Sequence, residues 1–275
     1  MRNHTSARAL RRALAACLLF VAAATANADT VLITGANSGI GLEFAKQYAE
    51  QGWTVIAVHR RSETPKTLQD LAARHSNVRP ERMDVTDPDQ VQALATKLKG
   101  TPIDVLINNA GVVILGGKNG AWRGPGANVD GQKFGSLDYD DFDTFMRTNV
   151  AGPARVTEAF YENVKASRQK KIVAISSANG QLSGEPLCCG LYWYRVSKAA
   201  LNKVMISVSA DVKKDGVTVV IFNPGPVRVE KQEGVEFPGM KPTDVVVKSM
   251  IQVIGKATLA DTGRFLTHDG QTQPW

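Results

Sequence analysis

Thr30-Val31-Leu32-Ile33 is a short β-branched, apolar run that leads without a break into Thr34-Gly35-Ala36-Asn37-Ser38-Gly39-Ile40-Gly41. Leu42 to Glu50 then carries apolar residues at helical spacing. Strand, glycine turn and helix in this order form the context that a dinucleotide-binding loop requires. Its glycines let the backbone approach a pyrophosphate, and the helix N-terminus turns amides and a partial positive charge towards it. The spacing here is Gly-x-x-x-Gly-x-Gly, and the residues expected to line a bound dinucleotide are Gly35, Asn37, Ser38, Gly39, Ile40 and Gly41.

The pattern repeats downstream. A second strand, Thr54 to Val58, ends at His59-Arg60-Arg61, with no acidic residue until Glu63. An acid at that strand end binds ribose hydroxyls, whereas an arginine suits a 2′-phosphate, so NADP(H) is preferred over NAD(H), with Arg60 as the contact. Pro65 to Ser76 reads as a helix, Val78 to Met83 as a third strand leading to Asp84-Val85, and Asp87 as the N-cap of a helix with Pro88 at its first position. A fourth strand, Ile103 to Ile107, delivers Asn108-Asn109-Ala110-Gly111. Asp138 to Asn149 and Pro153 to Lys165 read as helices that meet at Asn149. Further strands cover Lys171 to Ile175 and Val217 to Phe222, and the last helix is expected to begin at Thr243 as N-cap. Such alternation predicts an α/β fold, a doubly wound parallel sheet in one Rossmann-type three-layer α/β/α domain over residues 29–275. Ligands of such sheets bind beyond the carboxyl ends of the strands, where Asp84, Val85, Asn109, Ala110 and Gly111 fall.

Tyr194-Arg195-Val196-Ser197-Lys198 lies at the head of another helical pattern, Ser197 to Ala210. Residues four apart on a helix share a face, so the phenol and the ammonium are expected to point at one spot. At ~6 Å and an effective dielectric of about 20, the ammonium favours the phenolate by about 2.8 kcal/mol, or roughly two units below a pKa near 10. A tyrosine tuned in this way exchanges a proton with an alcohol or carbonyl oxygen near neutral pH. No cluster of His, Cys and carboxylates has a metal-ligand spacing, so no metal is expected.

Together these motifs resemble the short-chain dehydrogenase/reductase family. The glycine loop, Asp84-Val85, Asn108 to Gly111, Asn149, Ser176-Ser177, Tyr194-x-x-x-Lys198 and Asn223-Pro224-Gly225 stand in the family's order. Tyr194 to Asn202 and the ending Gly263-Arg264-Phe265 through Pro274-Trp275 are similar to the C-factor-like carbonyl reductases. The resemblance implies hydride transfer between nicotinamide and a small carbonyl or alcohol. In it Tyr194 is the general acid/base, Lys198 also binds the nicotinamide ribose, Ser177 orients the substrate oxygen, and Asn149 holds a water that links Lys198 to solvent. Ser176 and Ser183 stand as substitutes for Ser177. Pro224, Gly225 and Val227 are implied as further cofactor contacts, while Val229 stands where the family often has Thr. That replacement, and a longer spacing from Ser177 to Tyr194 than the family commonly shows, leave a second reading: a nucleotide-binding signalling or interaction protein with little turnover.

The first 28 residues differ from the rest. They carry Arg2, Arg8, Arg11 and Arg12 but no acid, an apolar run from about Ala13 to Ala26, and Ala26-Asn27-Ala28 before Asp29. These are the parts of a secretory signal peptide, so the chain is expected to be exported to a periplasm or beyond, ahead of an uncleaved anchor or a cytoplasmic location. The apolar run is shorter than the about 20 residues of a membrane span, and Arg11-Arg12 weakly resembles a twin-arginine signal. The chain has 33 Lys and Arg against 26 Asp and Glu; without those four arginines the balance is 29 against 26, so the +7 charge falls to +3 and no nucleic-acid partner is expected. Cys188 and Cys189 are adjacent, which is neither a disulfide framework nor a zinc spacing. Residues 113–135 and 230–241 read as loops, with Trp122 as a bulky residue over the substrate, and self-assembly stays open.

Overall fold

The computed structural model describes residues 28–113, 132–184, 190–229 and 239–275. The leader (1–27), Trp122, the Cys188-Cys189 pair and most of the 230–241 loop lie outside the described residues. In chain order the elements are β1 (Thr30–Thr34), α1 (Gly39–Glu50), β2 (Thr54–His59), α2 (Lys66–Arg74), β3 (Val78–Arg82), α3 (Pro88–Lys97) and β4 (Val105–Asn108). Then come α4 (Tyr139–Met146), α5 (Gly152–Ala159), α6 (Tyr161–Lys165), β5 (Lys171–Ile175), α7 (Tyr192–Val212), β6 (Thr218–Asn223), β7 (Val227–Arg228), β8 (Lys241–Pro242), α8 (Thr243–Lys256) and β9 (Arg264–Thr267).

Seven strands form one sheet in the order β3-β2-β1-β4-β5-β6-β9, every pairing parallel. The central strands β1, β4, β5 and β6 are buried along their whole length, as a sheet covered on both faces demands. The edge strand β3 instead carries Arg79, Pro80, Glu81 and Arg82, residues that an edge tolerates and a central strand does not. One hydrophobic layer joins the sheet to α1, α2 and α8 through residues such as Phe44, Leu68 and Met250. The opposite layer joins it to α3, α5, α6 and α7 through Leu94, Val156, Val164 and Met205.

Strand order reverses between β1 and β4, which opens a crevice at their carboxyl ends. Thr34 stitches that point together. Its hydroxyl accepts the N–H groups of Asn109 and Ala110 at 3.0 Å each and donates to the Ile107 carbonyl at 3.3 Å. The Asn109 side chain returns the contact by donating to the Thr34 and Gly35 carbonyls. This leaves no room at Gly41, where a Cβ would lie 2.3 Å from the Gly35 carbonyl oxygen and 2.4 Å from Asn109 Nδ2. The first turn of α1 therefore sits directly on the loop.

Several local expectations shift. Asp87 does cap α3, accepting the Asp89 and Gln90 amides, but Thr243 is not the N-cap of α8: Pro242 takes that position, and the Thr243 hydroxyl donates to the Arg228 carbonyl. Asn149 is not a helix terminus. It lies in a π-helical turn, Arg147–Ala151, that runs directly from α4 into α5. Pro153 has no N–H to give the Asn149 carbonyl and would press its ring on it, so the wider turn relieves the clash. The two-residue parallel pair β7–β8 and the seventh strand β9 were not anticipated, because their runs are too short to show a period.

Candidate active site

A cleft of about 420 Å³ follows the carboxyl ends of the strands. Its walls include Gly35, Asn37, Ser38, Ile40, Arg60, Asp84, Val85, Asn109, Ala110, Gly111, Tyr194, Lys198 and Pro224 of the sequence-predicted set, so residues from 35 to 224 converge on one groove. Arg61, Met83, Val112, Val113, Thr148, Ile175 and Ser176 also line it, as does Val229. Gly39, Gly41, Gly225 and Val227 are not part of that lining. Gly41 packs on the loop carbonyl, the Gly225 N–H donates to Asn223 Oδ1, and the Val227 side chain is buried in the core. Val229, which lies against the Gly39 turn, lines the cleft where Val227 does not.

Asn149 is fully buried, and its amide is engaged on three sides. Its Oδ1 accepts the Val112 N–H at 2.8 Å, and its Nδ2 donates to the Val112 carbonyl at 2.8 Å and to Ser197 Oγ at 2.9 Å. The Ser197 hydroxyl passes the chain on to the Tyr194 carbonyl at 2.7 Å. Lys198 Nζ donates to the Ile175 carbonyl at the end of β5, 2.8 Å away. Both Lys198 Nζ and Asn149 Oδ1 approach the bare Cα of Gly111, where a Cβ would lie 3.7 Å and 3.2 Å from them. Trp193 anchors the same helix to α4, donating its indole N–H to the Asp138 carbonyl and packing on Tyr139 and Phe142.

The expected electrostatics of the pair are corrected by this geometry. Lys198 was to pull the Tyr194 pKa down; instead burial pushes the phenol above its usual value, and a hydrogen bond with Ser177 partly opposes that rise. The ammonium lies over the tyrosine ring, 5.7 Å from its centre, and is bonded to a backbone carbonyl. Desolvation of the phenolate therefore wins over attraction. The same burial lowers the Lys198 pKa to about 8.

Of the three serines, Ser177 is the one that acts on the Tyr194 phenol, holding its pKa lower than burial alone would. Its Oγ also accepts the Asn179 backbone N–H at 3.1 Å. Ser176 reaches the cleft wall, but its hydroxyl donates to buried Asn202 at 2.6 Å. Ser183 is held by the chain terminus, its amide donating to the Trp275 carbonyl. Sequence reasoning missed Thr34, Gln132, Asn202 and Ser197, all of which brace the site. Only Ser197, three residues after Tyr194 on a helix, carried a local signal, that of a serine bonding back to the preceding turn.

Residues 29–236 match the short chain dehydrogenase family, and the chain belongs to it. It is an oxidoreductase of that family. It is 32% identical over 252 residues, 90% of this chain and 100% of the relative, to 1-hydroxy-2-glutathionyl-2-methyl-3-butene dehydrogenase from Rhodococcus sp. (strain AD45). It is also 32% identical over 185 residues to the C-signal protein of Myxococcus xanthus, a match that covers 67% of this chain and 100% of that one. Its fold superimposes with a TM-score of 0.78 and 28% identity on the NADPH-bound carbonyl reductase from chicken fatty liver, over 90% of this chain and 100% of that one.

The buried lysine yields a stability test. Unfolded lysine keeps its proton to about 10.5, whereas the folded site releases it at about 8, so between these values the unfolded chain binds more protons and stability rises with pH. Denaturation of the ligand-free protein from pH 7 to 10.5 should show wild type gaining stability relative to Lys198→Met. A constant difference would mean that the ammonium is not desolvated.

Proposed function

We propose that this chain is an NADP-dependent reductase of small carbonyl compounds, reversible as an alcohol dehydrogenase, with Tyr194 as the general acid/base. The observation that carries the reading is the convergence of a buried Tyr194 and Lys198 at one end of a cleft whose other end carries Arg60 and Arg61, with the Ser177 hydroxyl acting on Tyr194 from outside its lining. The cleft fits a nicotinamide dinucleotide by its donors: two guanidinium groups for a 2′-phosphate, the positive end of α1 for the pyrophosphate, and Lys198 with the bare backbone of Gly111 at the inner end. The chicken carbonyl reductase named above was solved with NADPH, which supports the same preference here.

Bound in reduced form, this cofactor supplies the hydride. Ser177 hydrogen-bonds the substrate oxygen and fixes its direction. Tyr194 gives that oxygen its proton as the carbon gains hydrogen, so one C–H and one O–H bond form while the carbonyl π bond breaks. A phenol raised by burial is protonated at neutral pH, which suits it to act as the acid. Lys198, with its pKa lowered to about 8, returns the proton to the tyrosinate. A turnover-free signalling role has less support, because the phenol of Tyr194 and the ammonium of Lys198 share one pocket.

A panel of aldehydes, quinones and ketones with NADPH tests the reading. Tyr194→Phe should lower kcat by about 10²–10⁴ with little change in NADPH affinity, and Arg60→Ala should weaken NADPH far more than NADH. Full turnover by Tyr194→Phe would refute the mechanism.

We also propose export with removal of residues 1–28. Ala28 is exposed and β1 begins at Thr30, so cleavage after Ala28 leaves the core strand whole. Cell fractionation with N-terminal sequencing should find a chain starting at Asp29 outside the cytoplasm; a full-length cytoplasmic chain would contradict this.

A further inference from the structure

Helix α7 begins without a cap of its own. Its N-cap position is Leu191, held in the left-handed region at φ 59°, and that residue's side chain makes no capping bond. The first N–H groups of a helix lack partners within the helix, and burying them unpaired is costly. Here they include those of Tyr192 and Tyr194, in the opening turn of the helix that carries the proton donor.

Gln132 meets both, from some sixty residues upstream. Its backbone carbonyl accepts the Tyr192 N–H at 3.4 Å, and its Oε1 accepts the Tyr194 N–H at 3.1 Å. Its Nε2 donates to the Val113 carbonyl at 3.3 Å. The residue is 2% exposed, unusual for a glutamine, and each polar atom of its side chain has a partner. Val113 follows Val112, the residue gripped by Asn149, so a closed ring of hydrogen bonds runs Val112, Asn149, Ser197, Tyr194, Gln132, Val113. Ser197 holds the Tyr194 carbonyl and Gln132 holds its N–H. The backbone of Tyr194 is clamped from both sides to the strand end that forms the opposite wall of the cleft.

We propose that Gln132 is a positioning residue for proton transfer: its side-chain amide caps the first turn of α7 and thereby fixes where Tyr194 stands relative to the Gly111–Val113 wall. The inference rests on Tyr194 being the proton donor. Truncation of the amide leaves the nucleotide groove at Arg60 and α1 untouched, but lets the reacting hydroxyl drift, and small misplacements of a reacting group are costly in rate.

Gln132→Met removes the acceptor at similar side-chain length, Gln132→Asn keeps an amide that falls short, and Gln132→Glu retains an acceptor oxygen at full reach. With saturating NADPH, the Met and Asn variants should lose about tenfold in kcat, with KM for NADPH within about twofold of wild type, and Gln132→Glu should recover most of that loss. Wild-type kcat in the Met or Asn variant, or no recovery with Glu, would overturn the proposal. So would failure of both shortened and apolar variants to fold, since Gln132 would then hold the fold and not the site. Tyr194→Phe assayed in parallel separates the two readings: if it stays active the proton-donor assignment fails, whereas an inactive Tyr194→Phe beside fully active Gln132 variants removes only the positioning role.

Discussion

The amide of Asn149 is the contact on which the site depends. A primary amide buried in a core is costly unless its donors and acceptor are met, and here they are met by groups from two other elements: both backbone atoms of Val112 beyond β4, and Ser197 on α7. The π turn that presents it exists because Pro153 denies the Asn149 carbonyl a partner and widens the helix at that point. A helical irregularity thus turns the side chain inward to join a strand end to the helix bearing the phenol and ammonium. Loosening it would leave unpaired buried groups on several elements at once.

Lys198 shows the cost of such a site. Lys198 is 6% exposed and its ammonium, bonded to the Ile175 carbonyl, is held against its preference for water, so its proton is correspondingly loose. Tyr194 is desolvated in the opposite sense and keeps its proton. Burial moves the two groups apart in acidity and leaves the ammonium the stronger acid, so a proton passing from Lys198 to a tyrosinate would run downhill, without the direct charge pairing that helical spacing alone implies.

Most of the architecture was legible because its signals are local. Apolar runs such as Thr30 to Ile33 and Lys171 to Ile175, each followed by helical periodicity, dictate a parallel sheet, and Asp87-Pro88 marks a helix start. Strand β9 was hidden, being four residues long with Arg264 at its head. At the site, Tyr194, Lys198 and the glycine loop could be read from spacing, since a helix face and a tight turn are short-range geometry. The sign of the Tyr194 shift could not, because it depends on how deeply α7 is buried. Gln132 and Thr34 were invisible for a related reason: each makes a bond that spans about sixty or more positions, and nothing in their immediate neighbours announces it.

All of this geometry serves one claim, that a clamped proton donor stands beside the place where a nicotinamide delivers hydride. The most direct measurement is the mass of the alcohol formed from an active carbonyl when the NADPH carries deuterium at C4 on its transferable face. One deuterium at the former carbonyl carbon of each product molecule is the predicted result. Product without the label, or no product from any carbonyl with the cofactor bound, would contradict it.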